Sequence, residues 1–401
     1  MRSLPSVALL SVDSPIGLTI MRELGRRRVP VVAIGKNARS LGRHSRYAAS
    51  FIERPAGPIA DWLDPLAQHY GFSRMMAVSE GDLLQLAAIK QSGQSCVQLA
   101  VPDADKLRIV LDKEAVNKIA KRVGIAVPQS LSPGSSDPAL LERLAYPVAI
   151  KWPDPNAILP TLKTAGLDFI KVEYADTPSE LEAALSRYDS IGTYPMVQEY
   201  CRGYGLGQMF HMQHGCATLR FQHRRLREWP LTGGVSSYCA ALPPGSHTDL
   251  MAQSEALLQA LDWTGPAMVE YKYDAATGRA MLMEINGRFW GSQPLASVCG
   301  AEFGWETYRR AFLKKGYPNI TEPVFNSWKL NRARYAAPEL KNLRDVMISS
   351  RPIGEKVKFI VRFCADFLDP RAYYYVWSWR DPKPFLHEVR NSLGRKLHKD
   401  I

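Results

Sequence analysis

The chain has 401 residues, 46% of them apolar, and a formal net charge of +12. This length exceeds a single compact core and predicts two to four structural units, and the apolar fraction excludes a disordered chain. The basic balance suits acidic partners such as nucleotides, phosphates, nucleic acid or an anionic membrane surface, without choosing among them.

The six cysteines lie far apart, and none forms a Cys-x-x-Cys pair. This spacing favours reduced thiols in a cytoplasmic protein over a disulfide framework or a zinc site. No run approaches the roughly 20 apolar residues of a membrane-spanning helix. Asp13 interrupts the short N-terminal apolar stretch, so we interpret it as a strand rather than a signal peptide. We therefore expect the sequon at 319–321 to be a chance match.

The N-terminal hundred residues show a β-α-β pattern. Residues 7–13 form an apolar run typical of a buried parallel strand, and a helical pattern and a second apolar strand follow. Another strand at 75–78 precedes a helix that begins near Asp82. These elements predict a Rossmann-like layer. The first turn, at 14–17, reads Ser-Pro-Ile-Gly rather than Gly-x-Gly-x-x-Gly, so we predict no dinucleotide site there.

The middle of the chain alternates helices and strands. Predicted helices span 112–124, with Asp112 as N-cap, and 178–189. The predicted strands are 146–152, which carries Lys151; 195–201, which ends in a glycine-rich turn; 267–274; and 279–287. The short loop Ala-Ala-Thr-Gly joins the last two strands and is suited to a hairpin.

Oxygen-bearing side chains gather on this predicted hairpin. Glu284 and Asn286 are two residues apart and so share a face, Glu270 can lie opposite them, and Arg288 extends the row. Two carboxylates and an amide oxygen suit Mg²⁺, and an adjacent arginine suits a phosphate group. A solvated sheet face with cross-strand ion pairs is the alternative that the residues leave open.

The hairpin resembles the ATP-grasp superfamily, which is marked by a metal-binding Glu on one strand and Glu-x-Asn-x-Arg on the next. Glu270 and the run Glu284-Ile285-Asn286-Gly287-Arg288 match this pattern in order and spacing. Three further elements match in family order: Asp112-Lys113, the strand Tyr146-Pro147-Val148-Ala149-Ile150-Lys151, and the hinge Val197-Gln198-Glu199-Tyr200-Cys201-Arg202-Gly203. The resemblance covers roughly residues 1–312.

The resemblance implies a mixed α/β and α+β protein. A Rossmann-like (pre-ATP-grasp) domain at 1–108 would precede a two-lobed ATP-grasp domain at 109–315, with lobes of about 109–195 and 196–315. A basic, aromatic extension would occupy 316–401.

The activity that the resemblance implies is that of a carboxylate–amine ligase. Such an enzyme uses ATP to activate a carboxylate as an acyl phosphate, which an amine then attacks with release of ADP and phosphate. The partners would be a small-molecule carboxylate and an amine, with no nucleic acid. The cofactors would be ATP and Mg²⁺, with Mn²⁺ as a substitute.

Family resemblance also implies roles for individual residues. Lys113 and Lys151 would bind phosphates, Glu270, Glu284 and Asn286 would hold the metal, and Arg288 and Lys151 would act in catalysis. The adenine would be bound by the hinge, namely by Gln198, Glu199, Tyr200 and Cys201.

Two positions depart from the family pattern. Many members have a Gly/Ser-rich loop after the strand lysine, whereas residues 152–168 contain one glycine, Gly166. Many also carry a ribose-binding Glu where this chain has Leu206. Two alternatives therefore remain open: a carboxylase or carbamoyl-phosphate-type synthase using bicarbonate, and a non-catalytic ATP-binding module.

A basic segment at 221–238 carries Arg224, Arg225 and Arg227 before Gly233-Gly234. It could bind phosphate or the substrate carboxylate, or it could be a solvated basic hairpin. His211, His214 and His223 fit no closed zinc pattern, and we expect them to be scattered.

The last stretch is basic and aromatic. From Thr321 onward there are sixteen Lys/Arg and nine Asp/Glu, a net charge of +7. We expect the cluster of Tyr373, Tyr374, Tyr375, Trp377 and Trp379 to form a core, with base stacking or a membrane interface as alternatives. The tail at 387–400 could make weak contact with anionic lipid or be only a solubilising end. A homodimer is the commonest assembly.

Overall fold

The computed structural model describes residues 4–133, 145–230, 234–313 and 330–397. Contacts between Cα atoms group the chain into two compact units. The large unit contains residues 1–107, 207–268 and 286–401, and the small unit contains residues 108–206 and 269–285. The domain boundaries predicted at 109 and 316 rest on sequence pattern and stay predictions. The sequon at 319–321 lies outside the described residues.

Thirteen helices are described within these ranges. They are α1 (Pro15–Arg26), α2 (Ile59–Tyr70), α3 (Glu80–Ser92), α4 (Ala104–Leu111), α5 (Lys113–Arg122), α6 (Pro155–Thr164), α7 (Pro178–Ser186), α8 (Thr248–Ala260), α9 (Gln293–Val298), α10 (Phe303–Phe312), α11 (Ala336–Ile348), α12 (Ile353–Phe367) and α13 (Lys383–Leu397). Short 3₁₀ turns occur at Leu41–His44 and Asp189–Ile191.

A five-stranded parallel sheet forms the N-terminal part of the large unit. Its strands are β1 (Val7–Leu10), β2 (Val31–Gly35), β3 (Ala48–Glu53), β4 (Arg74–Ala77) and β5 (Gln98–Leu99), in the order β3-β2-β1-β4-β5. The predicted Rossmann-like layer is therefore confirmed. β1 is shorter than predicted because Ser11 has a φ of 67°, which a continuing strand cannot accommodate.

Seven strands form a second sheet, in the order β14-β13-β10-β11-β12-β15-β16. They are β10 (Tyr204–Gln213), β11 (Cys216–Trp229), β12 (Val235–Ala241), β13 (Gly265–Tyr273), β14 (Ala280–Asn286), β15 (Arg332–Arg334) and β16 (Ala372–Tyr374). The adjacent strands β13 and β14 form the predicted hairpin, in which Asp274 N donates to Arg279 O at 2.9 Å.

The small unit contains a four-stranded sheet in the order β6-β9-β7-β8. The strands are β6 (Ser130–Leu131), β7 (Val148–Lys151), β8 (Glu173–Ala175) and β9 (Met196–Glu199). Their pairing is antiparallel throughout. Buried apolar side chains of β7, β8, β9 and α7 form one core beneath this sheet, because alternate strand residues face the helix.

The C-terminal aromatic cluster is divided between core and surface. Tyr375 is 1% exposed, belongs to the large unit's core and stacks on Tyr335 with ring centroids 5.5 Å apart. Trp379, in contrast, is 86% exposed. The expected aromatic core is thus confirmed for Tyr375 but does not extend to Trp379.

A buried ion cluster holds α11 to the second sheet. Glu339 and Arg334 are both fully buried, and their ion pair spans 2.8 Å. Glu339 also accepts hydrogen bonds from Arg227 Nη2 at 2.7 Å and from Ser237 Oγ at 2.6 Å. Burial alone would raise the pKa of Glu339, but the hydrogen bonds from Arg227, Ser237 and Arg334 lower it. The carboxylate is therefore kept charged at neutral pH.

Two further predictions concern the whole chain. All six cysteines are free thiols, as their spacing predicted. Within the four described ranges, no helix has the length and apolar composition required to cross a bilayer.

Replacing Glu339 by Gln should lower the free energy of unfolding by about 3 kcal/mol, because the two arginines lose their buried counter-charge. Urea denaturation at neutral pH measures the loss, and Glu355→Gln at an exposed position of α12 is the matched control. Because the folded pKa of Glu339 is lowered, its contribution should be full above the unfolded pKa and should be lost progressively as the pH falls from there through the folded pKa. Equal stability of the two variants would show that the cluster contributes nothing.

Candidate nucleotide and metal site

Lys151 lies at the end of β7, between β8 and β9. The strand forms because Val148 and Ile150, only 0% and 3% exposed, pack into the core of the small unit. Lys151 itself is partly buried and pairs in register with Met196 of β9. A lysine is thus held at the rim of a rigid sheet.

Several charges act on the Lys151 ammonium. Burial and the positive charge of Lys113 lower its pKa, Glu284, Cys201 and Glu270 act in the opposite direction, and the net result is a pKa of about 8. Such effects require the groups to lie near one another. The structure therefore brings Lys113, Lys151, Glu270 and Glu284, which come from three separate parts of the sequence, into one neighbourhood of the small unit.

Helix α5 positions Lys113 at its first turn. Asp112 caps the helix as predicted, and its Oδ1 accepts from Glu114 N at 2.9 Å and Ala115 N at 3.1 Å. Lys113 Nζ donates to the carbonyl oxygen of Pro153 at 3.3 Å. This bond fixes Lys113 beside the segment that follows Lys151.

The predicted metal ligands lie on the hairpin of β13 and β14. Glu270, Glu284 and Asn286 are each partly exposed, whereas their strand neighbours Val269, Tyr271 and Ile285 are at most 4% exposed. This alternation shows that the three oxygen-bearing side chains point away from the apolar face of their strands.

The donor set fits a hard cation. Over the described part of the chain, no group of three His, Cys, Asp or Glu side chains is placed to hold a metal ion. The predicted set does not depend on such a group, because Asn286 supplies an amide oxygen beside the two carboxylates. Oxygen ligands of this kind suit Mg²⁺ or Mn²⁺, and they leave positions for phosphate oxygens.

Glu199, the predicted adenine acceptor, ends β9. Its Oε2 accepts from Gln129 N at 3.2 Å, and its own backbone N–H donates to Gln129 O at 2.8 Å. Arg279 Nη1 lies 3.5 Å from Glu199 Oε1. The carboxylate is thus oriented by one backbone amide and one guanidinium.

The neighbours of Glu199 differ in exposure. Gln198 is 4% exposed, and its Nε2 donates to Ser130 Oγ at 2.9 Å, so its side chain joins β9 to β6. Tyr200 is 41% exposed and meets Tyr174 edge-on, with centroids 5.6 Å apart. Burial and the charge of Glu199 raise the pKa of the Cys201 thiol to about 11, so the thiol stays neutral at physiological pH.

The sequence motifs above do not include two cations near this site. Lys272 and Arg279 both lower the pKa of Cys201 and therefore lie near it. Lys272 follows Glu270 by two residues on β13, so strand alternation alone predicts that it shares a face with Glu270. Arg279 lies in the loop after β13, where no periodicity applies.

Arg288 lies just beyond the hairpin strand. β14 ends at Asn286, one residue before the predicted end at 287. That Arg288 extends the row of metal ligands stays a prediction. Arg288 Nη1 donates to the carbonyl oxygen of Phe289 at 3.0 Å, and its Nε lies 3.4 Å from Glu80 Oε2 in the large unit. The catalytic role of Arg288 stays a prediction.

The segment after Lys151 is helical rather than an open loop. α6 covers Pro155–Thr164, and Trp152, Ile158 and Leu162 pack with Tyr188 in a small apolar core. Leu206, at the predicted ribose position, is fully buried in β10. The residues at both departures from the family pattern, the segment after Lys151 and Leu206, are therefore packed into apolar cores.

Two arginines of the basic segment are engaged within the fold. Arg227 binds Glu339 and Asp366, and Arg225 Nη1 donates to Gly234 O at 3.2 Å. Arg227, whose side chain is 11% exposed, is thus neither at an open anion site nor on a solvated hairpin. Arg224 is exposed, and anion binding by Arg224 stays a prediction. Gly233 lies outside the described residues.

The histidines are scattered, as expected. His211 Nδ1 lies 2.8 Å from Thr218 Oγ1, and His223 Nε2 lies 2.6 Å from Ser292 Oγ. Burial lowers the pKa of His211 to about 4 and that of His223 to about 3, so both rings are neutral.

The hinge approaches β13 at Gly203. Its φ is 109°, and a Cβ there would lie 2.1 Å from the carbonyl oxygen of Tyr273. The main chain after the predicted adenine hinge therefore passes against the hairpin strand too closely for any side chain.

Gly203→Ala should lower the free energy of unfolding by more than about 2 kcal/mol, because the methyl group collides with backbone. Gly192→Ala is the matched control, since its φ is 61° and no atom lies within 4 Å of the added Cβ. The control should lose only about 1 kcal/mol from backbone strain. Urea denaturation measures both, and equal losses would contradict the close approach.

Comparisons with known proteins place this geometry among solved folds. No protein-family model matches the sequence, and no curated protein does. The chain is similar to N5-carboxyaminoimidazole synthetase from Staphylococcus aureus, a complex with ADP, at 14% identity and a TM-score of 0.59 over 80% of this chain and 81% of that chain. It is also similar to L-amino acid ligase from Bacillus licheniformis, at 16% identity and a TM-score of 0.58 over 78% and 75%.

A third similar structure is pyruvate carboxylase from Rhizobium etli, at 18% identity and a TM-score of 0.60. The match covers 80% of this chain but only 30% of the pyruvate carboxylase chain. Identities at this level establish architecture and not activity. The three share the ATP-grasp architecture, and the chain accordingly has the ATP-grasp fold.

Proposed function

We propose that the chain is an ATP-dependent ligase that activates a carboxylate as an acyl phosphate for attack by an amine, releasing ADP and phosphate. The convergence of Lys113, Glu270 and Glu284 on Lys151 is the observation that carries this proposal. Two cations beside two carboxylates are the charge pattern that a nucleotide polyphosphate with its divalent cation complements.

Lys113 and Lys151 would bind the phosphates of ATP. With a pKa of about 8, Lys151 is mostly protonated at neutral pH although it lies next to a second cation. A polyanion between the two lysines would relieve their repulsion and stabilise both ammonium groups. Because α6 replaces a glycine-rich loop, we infer that side chains rather than loop amides supply most phosphate contacts.

The adenine would lie against the hinge. Glu199 would accept a hydrogen bond from the adenine amino group, while the backbones of Tyr200 and Cys201 complete the edge contacts. Gln198 would act indirectly, since its amide holds β9 to β6 through Ser130. The neutral Cys201 thiol would not repel the nucleotide.

Glu270, Glu284 and Asn286 would hold Mg²⁺, or Mn²⁺ as a substitute. The bound ion would neutralise charge on the phosphates during phosphoryl transfer. Arg288 would meet the terminal phosphate and the developing acyl phosphate, where a guanidinium matches two oxygens at once. Lys151 would also stabilise the negative charge on the transferring phosphoryl group.

The acceptors would be small molecules, a carboxylate and an amine. Similarity to an L-amino acid ligase supports this choice. Similarity to a pyruvate carboxylase supports the competing assignment, a bicarbonate-using carboxylase or carbamoyl-phosphate-type synthase. The cytoplasmic location, the homodimer and lipid contact by the tail at 387–400 stay predictions, and residues 398–400 lie outside the described chain.

Release of ADP, followed with Mg²⁺ and pooled carboxylates and amines, tests the proposal. Turnover that needs both pools, with a condensed product in the mass spectrum, supports the ligase. Turnover with bicarbonate alone supports the carboxylase. ATP binding without turnover in any pool would contradict both enzymes and favour the non-catalytic ATP-binding module.

Glu284→Gln should reduce turnover by roughly a hundredfold or more while the fold is retained, because the metal site loses a charged ligand. Glu182→Gln, at an exposed position of α7 in the same unit, should retain normal turnover. Circular dichroism verifies that both variants fold. Near-normal turnover of Glu284→Gln would rule out the metal assignment.

ATP affinity should depend on pH through Lys151. In metal-free buffer, affinity should fall by roughly tenfold per pH unit above about pH 8, because the free protein loses the Lys151 proton there. Lys151→Arg keeps its charge and should show no such fall. Titration calorimetry between about pH 7 and pH 9 measures both proteins. A wild-type affinity as flat as that of the arginine variant would exclude Lys151 from phosphate binding.

A further inference from the structure

Helix α12 exposes an aliphatic stripe. Ile353 is 80% exposed, Val357 52%, Val361 63% and Leu368, just after the helix, 83%. The first three are spaced by four residues and so lie on one side of the helix. Isolated exposed aliphatics are ordinary, but a continuous stripe of them marks an interaction surface.

The orientation of α12 is fixed by its opposite side. Phe363 is 4% exposed, and the Arg334 guanidinium lies 5.2 Å from its ring centroid and 3.9 Å from that of Phe367. Since Arg334 belongs to the buried ion cluster, rotating the helix to bury the stripe would expose the Phe363 ring and break the contacts of Arg334 with both rings. The stripe therefore faces outward as part of the native fold.

Helix α11 continues the exposed apolar area. Leu340 is 57% exposed, Met347 49% and Ile348 75%. Lys356 Nζ donates to the carbonyl oxygen of Met347 at 3.0 Å, which places the first turn of α12 beside the end of α11. We call the combined area the apolar face; its residues are Leu340, Met347, Ile348, Ile353, Val357, Val361 and Leu368.

The charges around the apolar face are mostly positive. Cations on or beside α12 are Arg351, Lys356, Lys358 and Arg362. The acidic residues of α12 are Glu355 and Asp366, and Asp366 is neutralised by Arg227 at 2.5 Å. On α11, Asp345 pairs with Arg344 at 2.8 Å. An excess of cations therefore borders the exposed aliphatic side chains.

This charge distribution distinguishes two possible partners of the apolar face, a second copy of the chain and an anionic bilayer. A symmetric dimer through the apolar face would place the same patch of each copy against the other, and thus cations near cations. An anionic bilayer would instead pair its phosphates with Lys358 and Arg362 while the aliphatic side chains enter the acyl boundary. The 15 residues of α12 extend about 22 Å, which suits a helix lying in the interface.

We propose that the apolar face of α11 and α12 binds the surface of a membrane that contains anionic phospholipids. The stripe supplies hydrophobic insertion, and the bordering cations select negatively charged headgroups. This contact does not rest on the proposed ligase activity, because no residue of the apolar face is among the side chains proposed to bind the nucleotide or the metal.

Co-sedimentation of the full chain with vesicles tests the proposal. The chain should bind vesicles of phosphatidylserine mixed with phosphatidylcholine and should bind pure phosphatidylcholine far more weakly. The double variant Val357→Asp with Val361→Asp should weaken binding by about tenfold or more, because each aspartate opposes insertion. Lys358→Glu with Arg362→Glu should weaken it by roughly thirtyfold at low salt.

The control is Leu159→Asp, an exposed aliphatic of α6 that is 43% exposed and lies outside the apolar face. Its vesicle binding should equal that of the wild type. Failure of the wild type to bind the anionic vesicles, or equal binding by the Val357/Val361 variant, would overturn the proposal. Analytical ultracentrifugation gives a further contradicting outcome. If the wild type is a dimer that the Val357/Val361 variant dissociates, and neither protein binds vesicles, the apolar face serves self-association.

Discussion

The site depends on one electrostatic constraint, which is the partial burial of the Lys151 ammonium at the end of β7. Removing a cation from water is unfavourable, and a second lysine nearby increases the repulsion. Glu270 and Glu284 compensate only in part, since the pKa of Lys151 is still lowered to about 8. Such an arrangement is stabilised most by a polyanion together with a divalent cation, and the rest of the site follows from that requirement.

The surrounding backbone is built to keep these charges in place. Asp112 caps α5 and so fixes Lys113, while the bond from Lys113 to Pro153 ties this lysine to the segment after β7. Gly203 lets the hinge pass against β13, the strand that carries Glu270. The packed helix α6 adds rigidity at the position where many ATP-grasp proteins have a glycine-rich loop. These contacts hold the side chains of the candidate site in a fixed geometry.

Local patterns in the sequence predict the elements that carry the site, and they fail where distant segments meet. Strand alternation predicts the shared face of Glu284 and Asn286, and the Asp112 cap predicts the start of α5. No periodicity predicts that Arg227 donates a hydrogen bond to Glu339, which lies more than a hundred residues later in the sequence. Arg279 near Glu199 is another such pair. Local pattern also leaves the exact end of a strand open, since β14 ends at Asn286 rather than at the predicted residue 287.

A crystal structure with ADP and Mg²⁺ tests the central claim most directly. The account predicts the nucleotide phosphates against Lys113 and Lys151, the adenine at Glu199, and the ion on Glu270, Glu284 and Asn286. Phosphates or metal bound away from these side chains, with Lys151 still surrounded only by protein, would contradict it.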